Sequence, residues 1–335
     1  MSYNQVILFG APGTGKSYRI KDKYIKGIVN HKIFRVTIHP EYTYSDFVGQ
    51  LLPYVDEIDG KTKFKFQAGP FTKALEESYK DSSTDVYLIL EELSRGNVSA
   101  IFGDLFQLLD RNDYFESEFP IYNENIAREI GQPTNNVILP SNFNILCTVN
   151  TNDQSVFPMD TAFKRRFDWE YITISPAINE SIGRYHTELN NPQLIIRDKK
   201  GDFDTSWLSF YTALDEYITN KSIGLGKNED RQIGQFFIKF GKNEIRHSND
   251  KASSHYFDAI DSIDTKIEGK LLRYLWEDVQ GKSNNRIENK LFDDSIVSFK
   301  DLYEKYRTEQ VFNSNFLDKF LYDEPNEGRN RYPYN

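Results

Sequence analysis

A glycine-rich loop near the start of the sequence constrains the fold more than any other feature. The sequence GAPGTGKS (10–17) matches the pattern Gly-x4-Gly-Lys-Ser. It follows the apolar run NQVILFG (4–10), which is typical of a buried strand, and precedes a segment that we predict to be helical from Lys16 to about Val29. A strand, this loop and a helix, in that order, are the context in which the pattern cradles phosphate groups.

The loop predicts the residues that would contact a nucleotide. Glycines let backbone N–H groups approach a phosphate because no side chain blocks them, and the N-terminus of the following helix adds partial positive charge. The lysine is expected to reach the β- and γ-phosphates, and the serine hydroxyl to ligate Mg²⁺. The predicted contacts are Gly10, Pro12, Gly13, Thr14, Gly15, Lys16, Ser17 and Tyr18.

A second buried strand ends in two neighbouring carboxylates. The run DVYLIL (85–90) is followed directly by Glu91 and Glu92. In hydrolases with such a loop, a second strand carries an acid that holds Mg²⁺. We therefore assign Glu91, with Ser17, to the metal. Glu92 follows on the opposite side of the strand tip, and we expect it to polarise an attacking water as general base.

The strand NFNILCTVN (142–150) ends in another candidate catalytic group. Its last residue, Asn150, opens the polar run NTNDQS (150–155) and is expected to lie between the two motif strands. There it would hold the γ-phosphate or the attacking water. The structural alternative is a plain Asn/Asp turn.

Three cations lie in the last turn of a short predicted helix, at FKRRF (163–167). Cations at a helix C-terminus are favoured by the helix dipole, which is the structural alternative. The functional interpretation is an arginine finger, Arg165 or Arg166, that reaches the γ-phosphate bound by a neighbouring subunit and stabilises transition-state charge there. Such a residue would require an oligomer.

The order of the elements predicts an α/β fold. Up to about residue 175, apolar strands alternate with helical segments, as in a parallel sheet covered by helices on both faces. We expect KFKFQ (63–67) to form half of a hairpin, and we expect helices at 69–80, 98–110 and 161–167. The predicted domains are an α/β nucleotide-binding domain (1–175), a mostly helical domain (176–322) and a disordered polar tail (323–335).

One long segment of the second domain shows a clear helical period. Apolar residues recur at intervals of three or four along 256–279, which predicts an amphipathic helix. These residues are Phe257, Ile260, Ile263, Ile267, Leu271 and Leu275.

Composition excludes several classes of protein. The net charge of −9 and the pI of about 5.2 argue against a chain that binds duplex DNA by charge alone. No apolar run approaches the ~18 residues of a membrane helix, and the N-terminus does not have the pattern of a signal peptide. Cys147 is the only cysteine, so no intrachain disulfide forms, and zinc-ligand spacing is absent. These features predict a cytosolic protein.

Several of these segments together resemble the McrB family of AAA+ NTPases, the motor subunits of modification-dependent restriction systems. The resemblance covers about residues 5–280, and the Arg-Gly-Asn after the second motif and the Asn-Thr-x-Asp-x-Ser run are its most specific parts. The segments that carry it are GAPGTGKS, HPEYTYSDF (39–47), LILEELSRGNVSAIFGDLFQLLD (88–110), VNTNDQS (149–155), SVFPMDTAFKRRFDW (155–169), NEDRQIGQFF (228–237) and KLLRYLWEDV (270–279).

The resemblance implies an AAA+ motor with a helical lid that forms a ring, usually a hexamer. It implies hydrolysis of GTP or ATP with Mg²⁺, a McrC-like nuclease subunit as partner, and DNA engaged through the complex. GTP is favoured over ATP by the resemblance, although the chain lacks an N-K-x-D guanine motif. The matching residues are Lys16, Ser17, Glu91, Glu92, Asn150, Thr151, Asp153, Ser155, Arg165 and Arg166.

The chain departs from the family pattern at three points. Gln154 stands where the family usually has arginine, and Glu91 where it usually has aspartate. Full-length members also carry a DNA-reading domain ahead of the motor, whereas here the loop begins at residue 10. We therefore expect another chain to supply target recognition.

Three alternative functions compete with this one. A MoxR-type ATPase that remodels protein complexes shares the AAA+ core, and an inactive P-loop scaffold would keep the fold without turnover. A nuclease is suggested by DTK (264–266) and EGK (268–270), but both lie in the helical-period segment, whereas that motif needs a strand.

Overall fold

The computed structural model describes residues 3–58, 60–150, 157–179, 184–185, 189–280 and 290–321. It divides into two compact units. The first runs up to Phe9 and from Lys16 to Ile172, and the second contains Gly10–Gly15 and the residues from Thr173 onward. The glycine-rich loop thus groups with the second unit rather than with the strand and helix that flank it in sequence. The predicted tail at 323–335 lies outside the described residues.

The first unit alternates strands and helices. Its strands are β1 Gln5–Gly10, β2 Ile33–Thr37, β3 Gly49–Val55, β4 Thr62–Ala68, β5 Val86–Glu91, β6 Ile121–Tyr122, β7 Asn136–Val137, β8 Phe143–Asn150 and β9 Asp168–Tyr171. Its helices are α1 Lys16–Arg19, α2 Tyr44–Val48, α3 Pro70–Lys80, α4 Val98–Phe102, α5 Glu124–Glu129 and α6 Thr161–Lys164.

Five of these strands form a central parallel sheet in the order β2-β5-β8-β1-β9. The middle strands β5 and β8 are buried along almost their whole length, which explains their continuous apolar sequence. Parallel strands share one carboxyl edge, so the ends of β5 and β8 lie side by side there. In open α/β sheets ligands bind at this edge, where the strand order reverses. The predicted α/β fold is confirmed.

Local predictions in the first unit were mostly right about the type of element. β4 pairs with β3 in an antiparallel hairpin, as KFKFQ predicted, and α3 matches the helix predicted at 69–80. The helix predicted from Lys16 to Val29 is shorter: α1 passes into a π-helical turn that ends at Tyr24. The helix predicted at 98–110 breaks at Gly103, whose φ of +51° ends α4, and a 3₁₀ segment follows.

The second unit is mostly helical, as predicted. Its helices are α7 Trp207–Thr219, α8 Lys242–Ser248, α9 Tyr256–Lys266, α10 Phe299–Lys305 and α11 Ser314–Phe316, and π-helical segments at Ile267–Leu272, Leu275–Gln280 and Leu317–Leu321 extend them. Short antiparallel pairs join β10 Ile178–Asn179 to β11 Arg184–Tyr185, and β12 Gln193–Ile196 to β13 Phe203–Ser206.

The core of the second unit follows the apolar period predicted for 256–279, with one exception. The five aliphatic residues of that pattern are buried, but Phe257 is 80% exposed. It lies in the first turn of α9, and its neighbour Tyr256 takes the buried place instead. No helix in the described part of the chain is long and apolar enough to cross a bilayer.

Candidate nucleotide-binding site

The loop Gly10–Gly15 has the backbone that its glycines predict. Gly13 and Gly15 have φ angles of +78° and +93°, in the left-handed region that favours glycine. The Thr14 hydroxyl donates a hydrogen bond to the carbonyl of Ala11 over 3.0 Å, which closes the loop on itself. A loop of this kind turns successive N–H groups toward one side, and that arrangement binds anions.

A second glycine-containing segment lies against this loop within the same unit. The Gly234 N–H donates to the Pro12 carbonyl and the Phe236 N–H donates to the Gly13 carbonyl, each over 2.8 Å. A Cβ atom on Gly234 would lie 2.4 Å from the Gly13 carbonyl carbon, and one on Gly13 would lie 2.3 Å from the Phe237 nitrogen. Neither glycine accepts a side chain without displacing the other backbone.

The segment that carries Gly234 is itself anchored in the core of the second unit. The buried carboxylate of Asp215 accepts the Ile233 N–H over 2.8 Å, and burial raises the pKa of Asp215 well above its ordinary value. The Gln235 carbonyl accepts hydrogen bonds from the Trp207 indole over 2.8 Å and from the Asn190 amide over 2.7 Å. The segment that contacts the glycine loop is therefore anchored in the second unit by buried hydrogen bonds.

Lys16, in the first unit, is a buried cation. Burial lowers the pKa of its ammonium from 10.5 to about 8, and the negative charges of Glu92 and Glu91 offset part of that decrease. A desolvated ammonium at this position gains free energy when a phosphate supplies opposite charge. Lys16 is therefore suited to a phosphate ligand.

Glu91, the last residue of β5, lies among hydroxyl groups. Its Oε2 accepts hydrogen bonds from the Ser17 hydroxyl over 3.2 Å and from the Thr148 hydroxyl over 2.5 Å. Its Oε1 accepts a hydrogen bond from the Arg35 guanidinium. Mg²⁺ prefers hard oxygen ligands and commonly takes only one or two from protein, so the pair formed by Ser17 and Glu91 fits that ion. Within the described residues no group of three or more His, Cys, Asp or Glu side chains could hold a metal.

Glu92 turns away from Glu91 because its backbone is left-handed, with φ 57° and ψ 40°. Its N–H donates to the Thr148 hydroxyl over 3.1 Å. Its two carboxylate oxygens accept hydrogen bonds from the Asn150 amide over 2.8 and 2.7 Å. Asn150 thus contacts Glu92, a partner that the sequence did not indicate.

The two candidate finger arginines differ in their surroundings. Arg166 forms a bidentate ion pair with Asp110 over 3.0 and 2.6 Å, donates to the Ala162 carbonyl over 2.8 Å and stacks over the Phe106 ring. Its side chain is only 12% exposed. The Arg165 side chain is exposed and forms no ion pair with any residue that the structure describes.

The remaining predicted site residues are either exposed or outside the described residues. Tyr18 is 64% exposed. The signature residues Thr151, Asp153 and Ser155, with the departure at Gln154, lie outside the described residues.

Comparisons with known proteins identify the family of the chain. The family model of the AAA domain (dynein-related subfamily) matches residues 5–167. The chain is 31% identical over 326 residues to the type II restriction enzyme BsuMI component YdiS of Bacillus subtilis (strain 168), a match that covers 90% of this chain and 84% of the relative.

A second curated relative is the type IV methyl-directed restriction enzyme EcoKMcrB subunit of Escherichia coli (strain K12). The match is 26% identical over 179 residues and covers 52% of this chain, but only 36% of that subunit. The chain belongs to the McrB-like AAA+ proteins. In this McrB-like protein, the elements that carry Lys16, Glu91 and Asn150 all lie within the matched AAA domain.

The buried ammonium of Lys16 predicts a pH dependence of nucleotide affinity. Phosphates bind the charged form, and a bound nucleotide raises the pKa of the lysine. Because the pKa in the unbound protein is about 8, affinity should fall as pH rises above 8, by up to about tenfold per pH unit. Titrating a fluorescent nucleotide between pH 7 and pH 9.5 measures this dependence.

The control for that titration is Lys16→Arg, because a guanidinium stays charged throughout this range. The pH dependence of nucleotide affinity in Lys16→Arg therefore reports every other titrating group, including those of the nucleotide. Equal slopes for the wild type and Lys16→Arg would contradict the assignment of the titration to Lys16.

The contact between Gly234 and the loop predicts that Gly234→Ala weakens nucleotide binding without unfolding the protein. The added methyl group would displace the backbone at Gly13, and small displacements in a phosphate-binding loop cost affinity. Gly269→Ala is the matched control, since a Cβ atom there meets no atom within 4 Å. Calorimetric titration should show at least about a tenfold loss for Gly234→Ala, roughly 1.4 kcal/mol, and none for Gly269→Ala. Equal affinities with both proteins folded would refute the role of the contact.

Proposed function

We propose that this chain is a Mg²⁺-dependent nucleoside triphosphatase that acts as the AAA+ motor of a McrBC-like restriction system. The observation that carries the proposal is that the two neighbouring acids at the end of β5 have different hydrogen-bond partners. Glu91 lies at the Ser17 hydroxyl, while Glu92, its direct neighbour, is turned toward Asn150. These different partners support a role for Glu91 at the metal and for Glu92 at the attacking water.

The residues of the first unit suggest how hydrolysis would proceed. Lys16 binds the β- and γ-phosphates, and Ser17 and Glu91 would hold Mg²⁺. Mg²⁺, when bound, would neutralise charge on the phosphate oxygens. Glu92 accepts a proton from the attacking water as the water oxygen bonds to the γ-phosphorus. The bond from that phosphorus to the β–γ bridging oxygen breaks in the same step, and the nucleoside diphosphate and phosphate are released. Asn150 fixes the Glu92 carboxylate through two hydrogen bonds, so that the carboxylate keeps one orientation.

The biological role rests on the relatives. Both are named as parts of restriction enzymes, one of them methyl-directed. We therefore favour a restriction motor over a MoxR-like remodelling ATPase, and the paired acids favour an active enzyme over an inactive scaffold. The proposal includes GTP in preference to ATP, assembly into a ring, usually a hexamer, a separate McrC-like nuclease subunit, DNA engaged through the complex, and a cytoplasmic location.

Substitution of the acids and the lysine tests the chemistry. Lys16→Ala should abolish nucleotide binding, because it removes the cation that faces the phosphates. Glu92→Gln should keep binding but lower turnover by about 10²–10⁴-fold, the usual contribution of a general base. Phosphate release from GTP and from ATP, measured beside binding, separates the two effects.

The control for this experiment is Glu304→Gln, which alters an exposed glutamate in α10. It should leave turnover unchanged. Wild-type turnover in Glu92→Gln would remove Glu92 from its proposed role, and absence of nucleotide hydrolysis in the wild type would remove the proposed function itself.

The contrast between the two arginines favours Arg165 as the residue that acts on a neighbouring subunit. Mixing Arg165→Ala chains with Glu92→Gln chains should restore part of the turnover, because some interfaces would combine an intact Glu92 with an intact Arg165. Arg166→Ala should mainly destabilise the fold, since it removes hydrogen bonds to a charged group that are worth about 1.5–3 kcal/mol each. Turnover of the mixtures and thermal melting curves of the single variants measure both effects.

The mixing experiment needs proof that mixed assemblies form, which differently tagged chains provide by co-purification. Mixed assemblies that show no more turnover than the sum of their parts would exclude Arg165 as a residue acting between subunits.

A further inference from the structure

Arg35 reaches the metal-side carboxylate from the neighbouring strand. The register pairs Thr37 of β2 with Glu91 of β5, and Arg35 precedes Thr37 by two residues, so its side chain lies on the same face of the sheet as that of Glu91. Its Nη1 donates a hydrogen bond to Glu91 Oε1. The Arg35 side chain is 39% exposed and that of Glu91 is 14% exposed, so the acid is largely shielded while the guanidinium borders solvent.

The contact determines which oxygen of Glu91 faces Ser17. Oε1 is held by the guanidinium, whereas Oε2 accepts the hydroxyls of Ser17 and Thr148 over 3.2 and 2.5 Å. The two oxygens therefore have different partners, the guanidinium at Oε1 and two hydroxyls at Oε2. Rotation about the last side-chain bond of Glu91 would break contacts of both oxygens.

Glutamate needs this restraint more than aspartate would. It has one more methylene group than the aspartate usual in the family, and one more rotatable bond. Each additional free rotamer costs ordering entropy when the carboxylate is fixed at a ligand. The planar fork of an arginine is suited to fixing a carboxylate.

We propose that Arg35 is a positioning residue for Glu91 and that it makes the site selective for Mg²⁺ over Ca²⁺. The inference rests on the proposed function, in which Ser17 and Glu91 face the metal that accompanies the nucleotide. Mg²⁺ demands near-ideal octahedral geometry, whereas Ca²⁺ accepts flexible arrangements of ligands. A fixed Glu91 favours the smaller ion, and a mobile Glu91 removes that preference.

The test compares the two ions in wild-type protein and in Arg35→Met, which keeps a long apolar stem but loses the guanidinium. The probe is a fluorescent, non-hydrolysable analogue of GTP or of ATP, whichever the wild type binds, titrated with Mg²⁺ and separately with Ca²⁺. Loss of a residue that orients a metal ligand typically costs about 10–100-fold in metal affinity. We expect Mg²⁺ affinity to fall by about tenfold in Arg35→Met and Ca²⁺ affinity to change much less.

The ratio of the two affinities is the informative quantity. Removing a positive charge affects both divalent ions alike, so a change in net charge alone leaves the ratio unaltered. Arg128→Met is the matched control, because it removes another Arg–Glu ion pair of the first unit, with Glu124. Its ratio should equal that of the wild type.

A second variant shows whether Arg35 acts through Glu91. Glu91→Asp shortens the acid, so its carboxylate no longer extends to Arg35, and Arg35→Met should then change the Mg²⁺/Ca²⁺ ratio much less than it does in the wild type. If Arg35→Met changes the Mg²⁺/Ca²⁺ ratio equally in the wild type and in Glu91→Asp, the two effects are independent and the proposal is overturned. If thermal melting shows that Arg35→Met is unfolded, Arg35→Gln replaces it in the same comparison.

The outcomes distinguish failure of this inference from failure of the proposed function. A wild-type protein that binds neither nucleotide analogue in Mg²⁺ would refute the nucleotide site as a whole, and the positioning role with it. A wild-type protein that binds, together with an unchanged ratio in Arg35→Met, would overturn only the role of Arg35.

Discussion

The left-handed backbone at Glu92 is the constraint on which the rest of the site depends. A non-glycine residue in this region costs about 1–3 kcal/mol and persists only where its surroundings hold it. Here β8 supplies that hold, because the Thr148 hydroxyl accepts the Glu92 N–H and the Asn150 amide binds both carboxylate oxygens. Without this turn, two consecutive acids at the end of β5 would lack their separate partners.

The charges of the first unit explain why a metal should accompany the nucleotide. Two carboxylates, Glu91 and Glu92, lie near two cations, Lys16 and Arg35. This cluster of four groups is close to neutral before any ligand arrives. A triphosphate brings several negative charges, and Lys16 alone cannot balance them. A divalent cation at Ser17 and Glu91 would supply positive charge to balance the triphosphate, and the hydroxyl and carboxylate oxygens of these residues are the kind of ligand that Mg²⁺ prefers.

The sequence predicted the parts of the site that follow from local pattern. Each buried strand and the glycine loop is formed by one continuous run of residues. The sequence alone was therefore enough to identify the strands β1, β5 and β8 and the residues of the loop. Contacts between residues that are far apart in sequence could not be identified in this way. Arg166 differs from Arg165 because Asp110, 56 residues away, binds only one of them. Arg35 reaches Glu91 because of a strand register that no local pattern reveals, and Gly234 meets Gly13 across more than two hundred residues.

The central claim is that Glu91 serves the metal and Glu92 serves the water, and a structure of the Glu92→Gln protein with a bound nucleoside triphosphate and Mg²⁺ tests it most directly. We predict Mg²⁺ about 2.1 Å from the Ser17 hydroxyl oxygen, with Glu91 Oε2 bound to it directly or through one water. The substituted side chain should face the γ-phosphate and leave the metal untouched. A metal coordinated at position 92, or a Glu91 carboxylate without contact to the ion or its waters, would contradict the account.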